Sequence, residues 1–187
     1  MQLKKHAALR RRPLLTPVWL SALGAILFAV TLSWVWQHVA MTTVFVIRHA
    51  EKVASGTQDP ALSAAGEAHA ARYAALFGTA VRGQHLQVVY ATEFRRTQQT
   101  AGLVARRLGI PLRIIPAADT AELVEHLLRH YRGQRVLVVG HSNTVPALIS
   151  ALGGDTVPAL GEADYSRLYV VSVGLFSRTT VTELALP

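Results

Sequence analysis

Two histidines and an arginine follow apolar runs of this sequence in a pattern that suits phosphoryl transfer. Arg48 and His49 come directly after residues 43–47, and His141 follows residues 136–140. Such runs, rich in β-branched residues, are typical of strands buried on both faces of a sheet. Neutral imidazole is a competent nucleophile toward phosphorus, and a guanidinium group matches two phosphate oxygens. The pattern therefore predicts a phosphate site.

A second arginine for this site lies after a third apolar run, residues 86–90, where Arg95 and Arg96 are adjacent. Helical spacing separates the two. Arg95 falls on a stripe of polar and small residues, whereas Arg96 shares a stripe with Thr100, Leu103 and Val104 at the border of a buried face. We therefore expect Arg96 in the pocket and Arg95 in solvent.

The elements that must position these residues alternate along the chain. Strands are predicted at residues 43–47, 86–90, 112–115, 135–139, 168–173 and 179–184, and helices at 63–77, 94–108, 120–132 and 144–152. This alternation predicts an α/β fold with a mainly parallel sheet and helices on both faces. Ligands of such sheets bind beyond the carboxyl ends of the strands, where the two histidines and Arg96 would meet.

The helix that begins near Asn143 would direct backbone N–H groups and a partial positive charge to the same edge. The Asn143 side chain either contacts phosphate or caps this helix.

Three segments in the same order resemble the histidine phosphatase superfamily, in particular its phosphoglycerate mutase-like and small phosphohistidine phosphatase-like branch. They are Arg48-His49-Ala50, Thr92-x-x-x-Arg96-Thr97-x-x-Thr100-Ala101 and Gly140-His141-Ser142. The resemblance covers residues 43–187. It implies a three-layer α/β/α sandwich, His49 as the nucleophile that forms phosphohistidine, and Arg48, Arg96 and His141 as the rest of the phosphate pocket.

A shorter segment, residues 59–63, resembles the stretch that leads into the first helix of that family. We interpret Asp59 as a turn residue and Ser63 as a helix N-cap.

The proton donor for the leaving group is less defined. Related acid phosphatases often place an Asp after the second histidine, but Ser142 stands there in this sequence. The mutase-like branch supplies a Glu after the third strand, where this chain has Asp119 and Glu122. Asp119 is our first candidate, although it could instead cap the following helix, and Glu122 is the second. Glu51, which is also near the predicted pocket, is the third.

The N-terminal part of the chain predicts a membrane anchor. Residues 18–36 carry no charge and would form a helix of about 28 Å, close to the thickness of a bilayer core. Five basic residues precede this segment, whereas the sixteen residues after it contain only Arg48 and Lys52. We therefore expect a cytoplasmic N-terminus and a catalytic domain outside the cytoplasm, periplasmic in a bacterium. A cleaved signal peptide is the alternative to this uncleaved signal anchor.

The predicted organisation is a basic N-terminus (residues 1–17), the anchor (18–36), a short linker (37–43) and one histidine phosphatase domain (44–187). Without the five N-terminal basic residues, fourteen Lys and Arg oppose eleven Asp and Glu, so the charge does not predict nucleic-acid binding. The sequence has no cysteine, which excludes disulfides and thiol catalysis.

We therefore predict a phosphatase that needs no metal or other cofactor, because the two histidines lack a third ligand at the strand ends. Its partners would be the membrane and a phosphorylated small molecule or an envelope glycolipid. Two alternatives are a phosphomutase and a membrane-tethered module that binds a phosphorylated ligand in an inactive pocket.

Overall fold

A computed structural model describes residues 18–39, 41–54, 56–79, 85–174 and 177–186. Its contacts divide the chain into two units, Met1–Trp36 and Gln37–Pro187. The basic segment predicted at residues 1–17 lies outside the described residues.

The first unit contains all but the last three residues of helix α1 (Val18–Val39). Within it, Val18–Trp36 has a mean hydropathy of 2.0 and none of its residues is buried. The helix is thus long and apolar enough to cross a membrane, and a signal sequence has the same properties. It continues through residues 37–39, which we predicted as linker, because neither Gly nor Pro interrupts the chain there.

The second unit is built on one six-stranded sheet with the strand order β3-β2-β4-β1-β5-β6. The strands are β1 (Thr42–Arg48), β2 (Val88–Ala91), β3 (Leu112–Ile114), β4 (Arg135–Gly140), β5 (Arg167–Val173) and β6 (Thr180–Ala185). The four strands β1 to β4 pair in parallel, whereas β5 runs antiparallel to both β1 and β6. The sheet is therefore mixed and mostly parallel.

Helices cover both faces of this sheet. They are α2 (Ala64–Gly78), α3 (Arg95–Leu108), α4 (Thr120–His130) and α5 (Thr144–Ala151). Alternate residues of β1, β2 and β4 enter two separate core clusters, one shared with α2 and α3 and the other with α4 and α5. Side chains of a strand point alternately to opposite faces, so the continuous apolar runs of these strands fill two cores at once.

The ends of the helices follow from local sequence. Ser63 caps α2, because its hydroxyl accepts a hydrogen bond from Gly66 N at 3.1 Å, as we predicted. Gly109 ends α3 in the left-handed conformation, which glycine adopts without strain. Gly66 lies so close to the carbonyl of Glu51 that a Cβ atom would be 2.0 Å from that oxygen. Helix α2 is thereby packed directly against the chain that follows β1.

The register of the parallel strands brings the chemically important residues to one edge. Arg48 pairs with Gly140 across β1 and β4, and the His49 N–H donates to the carbonyl of Gly140 at 2.9 Å. Ala91 of β2 pairs with Val139 of β4. The chain therefore leaves all three strands at the same carboxyl edge of the sheet.

Candidate active site

His49 lies at the centre of this edge with 3% of its surface exposed. Its Nδ1 is 2.7 Å from the carbonyl oxygen of Ala50, so Nδ1 carries the proton and donates it to that oxygen. The lone pair is consequently on Nε2. Burial lowers the pKa of His49 to about 3, and the nearby His141 and Arg48 add to this effect. The imidazole is neutral at physiological pH, as a nucleophile must be.

Arg48 is the last residue of β1 and is 6% exposed. Its Nη1 donates to the carbonyl oxygens of Gly161 and Glu162, and its guanidinium lies 4.4 Å from the centre of the Tyr165 ring. These contacts hold the side chain rigidly. Its Nε is buried and has no hydrogen-bond partner among the described residues. A buried donor without a partner is costly, and a phosphate oxygen would satisfy it.

Arg96 reaches the site from the first turn of α3. Its Nη2 is 3.4 Å from His141 Nδ1, and its guanidinium stacks 4.6 Å from the centre of the Phe94 ring. The side chain is 15% exposed. Arg95 is exposed, and its backbone N–H donates to Asp59 at 2.8 Å. The helical register expected from the sequence thus agrees with the positions of both arginines.

His141 follows β4 and is buried within a chain of hydroxyl groups. Its Nε2 is 2.8 Å from Thr92 Oγ1, which is in turn 2.8 Å from Thr97 Oγ1. Because Arg96 can only donate, His141 Nδ1 accepts and Nε2 carries the proton toward Thr92. Burial lowers the pKa of His141 to about 4, and Arg96 contributes to this shift. This second imidazole is therefore also neutral at physiological pH.

The rings of the two histidines are 5.4 Å apart, centre to centre. Two guanidinium cations accompany two neutral imidazoles, so the cluster carries positive charge in a largely buried setting. Such a setting strengthens electrostatic attraction compared with water. The arrangement can hold a phosphate dianion beside the free lone pair of His49 Nε2.

Asn143 is exposed at the start of α5, and its side chain forms no capping hydrogen bond. The Thr144 hydroxyl instead accepts a hydrogen bond from the His141 N–H at 2.7 Å. The structure thus gives no support to the capping alternative for Asn143, and the phosphate contact stays a prediction.

The three predicted proton donors lie outside the cluster of arginines and histidines. Asp119 precedes α4 and makes no capping hydrogen bond through its side chain. Asp119 and Glu122 both line a groove of about 490 Å³ beside α4, together with Arg113. The Glu51 carboxylate is 3.1 Å from Nδ1 of the buried His69. Among the contacts of the described residues, none joins these three carboxylates to the four pocket side chains.

Several residues around the site were not predicted from the sequence. Thr92 and Thr97 belong to the second of the three family-like segments, but we assigned no role to them from the sequence. In the structure both are buried. The ring of Tyr165 lies 5.9 Å from that of His49, but it comes from an irregular loop with no pattern of its own. The negative charge of Glu93 partly opposes the lowering of the His141 pKa by burial and Arg96. The Glu93 carboxylate accepts a hydrogen bond from the N–H of Ala117.

The described residues contain no group of three or more His, Cys, Asp or Glu side chains that could hold a metal ion.

A family model matches part of the chain. Residues 44–119 match the model of the histidine phosphatase superfamily, branch 1. None of the curated proteins compared with this sequence matches it.

Solved structures share its fold at low identity. The protein histidine phosphatase SixA in complex with tungstate has a TM-score of 0.62 at 20% identity, with 76% of this chain and 96% of that chain covered. A mycobacterial glucosyl-3-phosphoglycerate phosphatase has a TM-score of 0.63 at 16% identity, with 79% and 100% covered.

Proposed function

We propose that this protein is a metal-independent phosphatase that hydrolyses a phosphate monoester through a phosphohistidine on His49. One observation carries the proposal: Nδ1 of His49 is committed to the Ala50 carbonyl, which leaves the Nε2 lone pair free near the buried guanidinium of Arg48 and the partly buried one of Arg96. That is the arrangement needed for a nitrogen nucleophile to attack a bound phosphate.

The reaction has two displacements. The phosphate oxygens contact Arg48 Nε and Arg96, and His141 completes the pocket by holding Arg96 through Nδ1. His49 Nε2 attacks phosphorus in line with the ester oxygen. The N–P bond forms as the P–O bond to the leaving group breaks, and the leaving oxygen takes up a proton. Water then attacks phosphorus, the N–P bond breaks, and inorganic phosphate is released.

Asp119 remains our first candidate for the proton donor, with Glu122 and Glu51 as the alternatives. In the described structure Asp119 lies at the start of α4, on the loop that follows β3 at the carboxyl edge of the sheet. As proton donor, Asp119 would reach the leaving oxygen through a movement of this loop when substrate binds. Asn143 is proposed to contact the phosphate from the start of α5.

We further propose that α1 anchors the enzyme in a membrane with the N-terminus in the cytoplasm and the phosphatase domain on the other side. The support is the apolar length of α1 and the five basic residues before it. The substrate is then a phosphorylated small molecule or an envelope glycolipid. One structural neighbour is named for a phosphorylated small molecule, glucosyl-3-phosphoglycerate.

A phosphate-release screen of the full-length protein in detergent tests this function. The panel contains sugar phosphates, nucleotides, phosphorylated glycolipids and phosphohistidine peptides. We expect turnover of at least one class by the wild type and by Arg95→Ala, and none by His49→Ala. Turnover that is equal in His49→Ala would exclude the proposed nucleophile. Phosphate binding without any release would instead favour the inactive binding module.

A further inference from the structure

Asp59 approaches the site from a segment that is distant in sequence. Its Oδ1 accepts the backbone N–H of Arg95 at 2.8 Å and lies 3.8 Å from Arg96 Nη1. Phe94 is the N-cap residue of α3 and makes no capping hydrogen bond through its side chain. Asp59 thus supplies the missing cap, and its charge is favourable at a helix N-terminus. We predicted Asp59 only as a turn residue, whereas in the structure it also caps α3 and contacts Arg96.

The segment that carries Asp59 is itself held in place. Pro60 is buried, and the Leu62 N–H donates to the side-chain oxygen of Gln99 on α3 at 2.8 Å. The carbonyl of Ala61 accepts the N–H of Val53 at 3.0 Å. These bonds fix the chain directly after Asp59 against α3. The carboxylate of Asp59 is therefore already held beside Arg96 before a ligand binds, and little further conformational entropy of this segment is lost on binding.

Three neighbours contact the guanidinium of Arg96. Phe94 stacks on its face, and His141 accepts from Nη2. Asp59 contacts the other terminal nitrogen, Nη1. An arginine side chain has several rotatable bonds, and orienting it before the ligand arrives lowers the entropy lost on binding.

We propose that Asp59 is a positioning residue, whose carboxylate orients Arg96 toward the oxygens of a bound phosphate. The proposal rests on the proposed function, because it takes Arg96 as part of the phosphate pocket. The carboxylate also repels phosphate, but this repulsion is weakened because Asp59 is 40% exposed and its charge is balanced by Arg96. Orientation is therefore the larger effect, and Asp59 increases the affinity for phosphate.

A double-mutant cycle measures whether Asp59 acts through Arg96. Inorganic phosphate is titrated by calorimetry into the full-length protein in detergent, with the variants Asp59→Asn, Arg96→Ala and both together. Asn retains an oxygen that can accept from the Arg95 N–H but lacks the charge. We expect Asp59→Asn to weaken phosphate binding roughly tenfold, and to have no further effect when Arg96 is already Ala. The control Asp155→Asn removes an exposed ion pair with Arg178 and should bind phosphate like the wild type.

Equal effects of Asp59→Asn in the two backgrounds would overturn the proposal, as would unchanged or tighter binding. If the Asn variant does not fold, Asp59→Ser is used instead, because its hydroxyl can also accept from the Arg95 N–H. A wild type that binds no phosphate would likewise overturn it.

The proposed function is decided by a different readout. A wild type that binds phosphate but neither turns over esters nor forms phosphohistidine would exclude the phosphatase, while the binding cycle would still determine the role of Asp59.

Discussion

Replacing Arg96 by Ala removes a positive charge that lies beside His141 in the proposed phosphate pocket, and replacing Arg95 removes one that is exposed to solvent. Both residues are on the first turn of α3 and have the same chemistry, so each is a matched control for the other. We expect Arg96→Ala to lose most of its activity and Arg95→Ala to retain nearly all of it.

The magnitude follows from the surroundings of the guanidinium. Arg96 is 15% exposed, and its Nη2 is 3.4 Å from His141, so its charge is only partly screened by water. A unit charge about 5 Å from the developing charge, at an effective dielectric constant of about 20, contributes roughly 3 kcal/mol. Loss of a comparable donor in other enzymes costs about 2–4 kcal/mol of transition-state stabilisation. This range corresponds to a reduction in kcat/KM of roughly 30-fold to 1,000-fold.

The assay is steady-state hydrolysis of p-nitrophenyl phosphate, or of the best substrate from the screen. A second readout is the titration of His141 by NMR, because the charge of Arg96 lowers the pKa of His141 and its removal should raise that pKa. Arg95→Ala should leave both readouts unchanged. A larger loss in Arg95→Ala than in Arg96→Ala would show that Arg95 is the pocket residue and would refute the reasoning.

Three further predictions concern pH, metals and topology. The pKa values of His49 and His141 are lowered to about 3 and about 4, so below pH 6.5 these two histidines bind more protons in the unfolded protein than in the folded one. The unfolding temperature should therefore fall between pH 7 and pH 4, and it should fall less for His49→Gln. A rise of the unfolding temperature on acidification would contradict these pKa shifts. Activity should survive chelators and be blocked by vanadate, whereas a loss that zinc or magnesium restores would indicate a metal enzyme. A C-terminal alkaline phosphatase fusion should be active and the protein should resist carbonate extraction, whereas a mature N-terminus near Met41 would show that α1 is cleaved.

The order of strands and helices was predictable because local patterns determine it. Continuous apolar runs marked β1, β2 and β4, and Ser63 marked the start of α2. The antiparallel pairing of β5 with β6 was not predicted, although only six residues separate the two strands and a short connection favours an antiparallel pair. Periodicity indicates that a strand exists, but its direction and neighbours depend on the packing of the whole sheet.

The same local patterns predicted which residues of the candidate site come together at the edge of the sheet. Arg48, His49 and His141 follow strands directly, so their convergence at one edge follows from parallel pairing. The contact of Asp59 with Arg96 joins residues from two segments, and no local pattern reports it. The proton donor was not determined for the same reason, because it depends on where the side chains after β3 lie relative to a bound ester.

The central claim is a covalent phosphohistidine on His49, and trapping this intermediate tests it most directly. Full-length protein in detergent is mixed with an ester carrying a radiolabelled phosphoryl group, quenched, and analysed for the chemical stability and position of the label. We predict an acid-labile, alkali-stable label that is present in the wild type and Arg95→Ala and absent in His49→Ala. Undiminished labelling of His49→Ala, or a label that is stable in acid, would contradict the account.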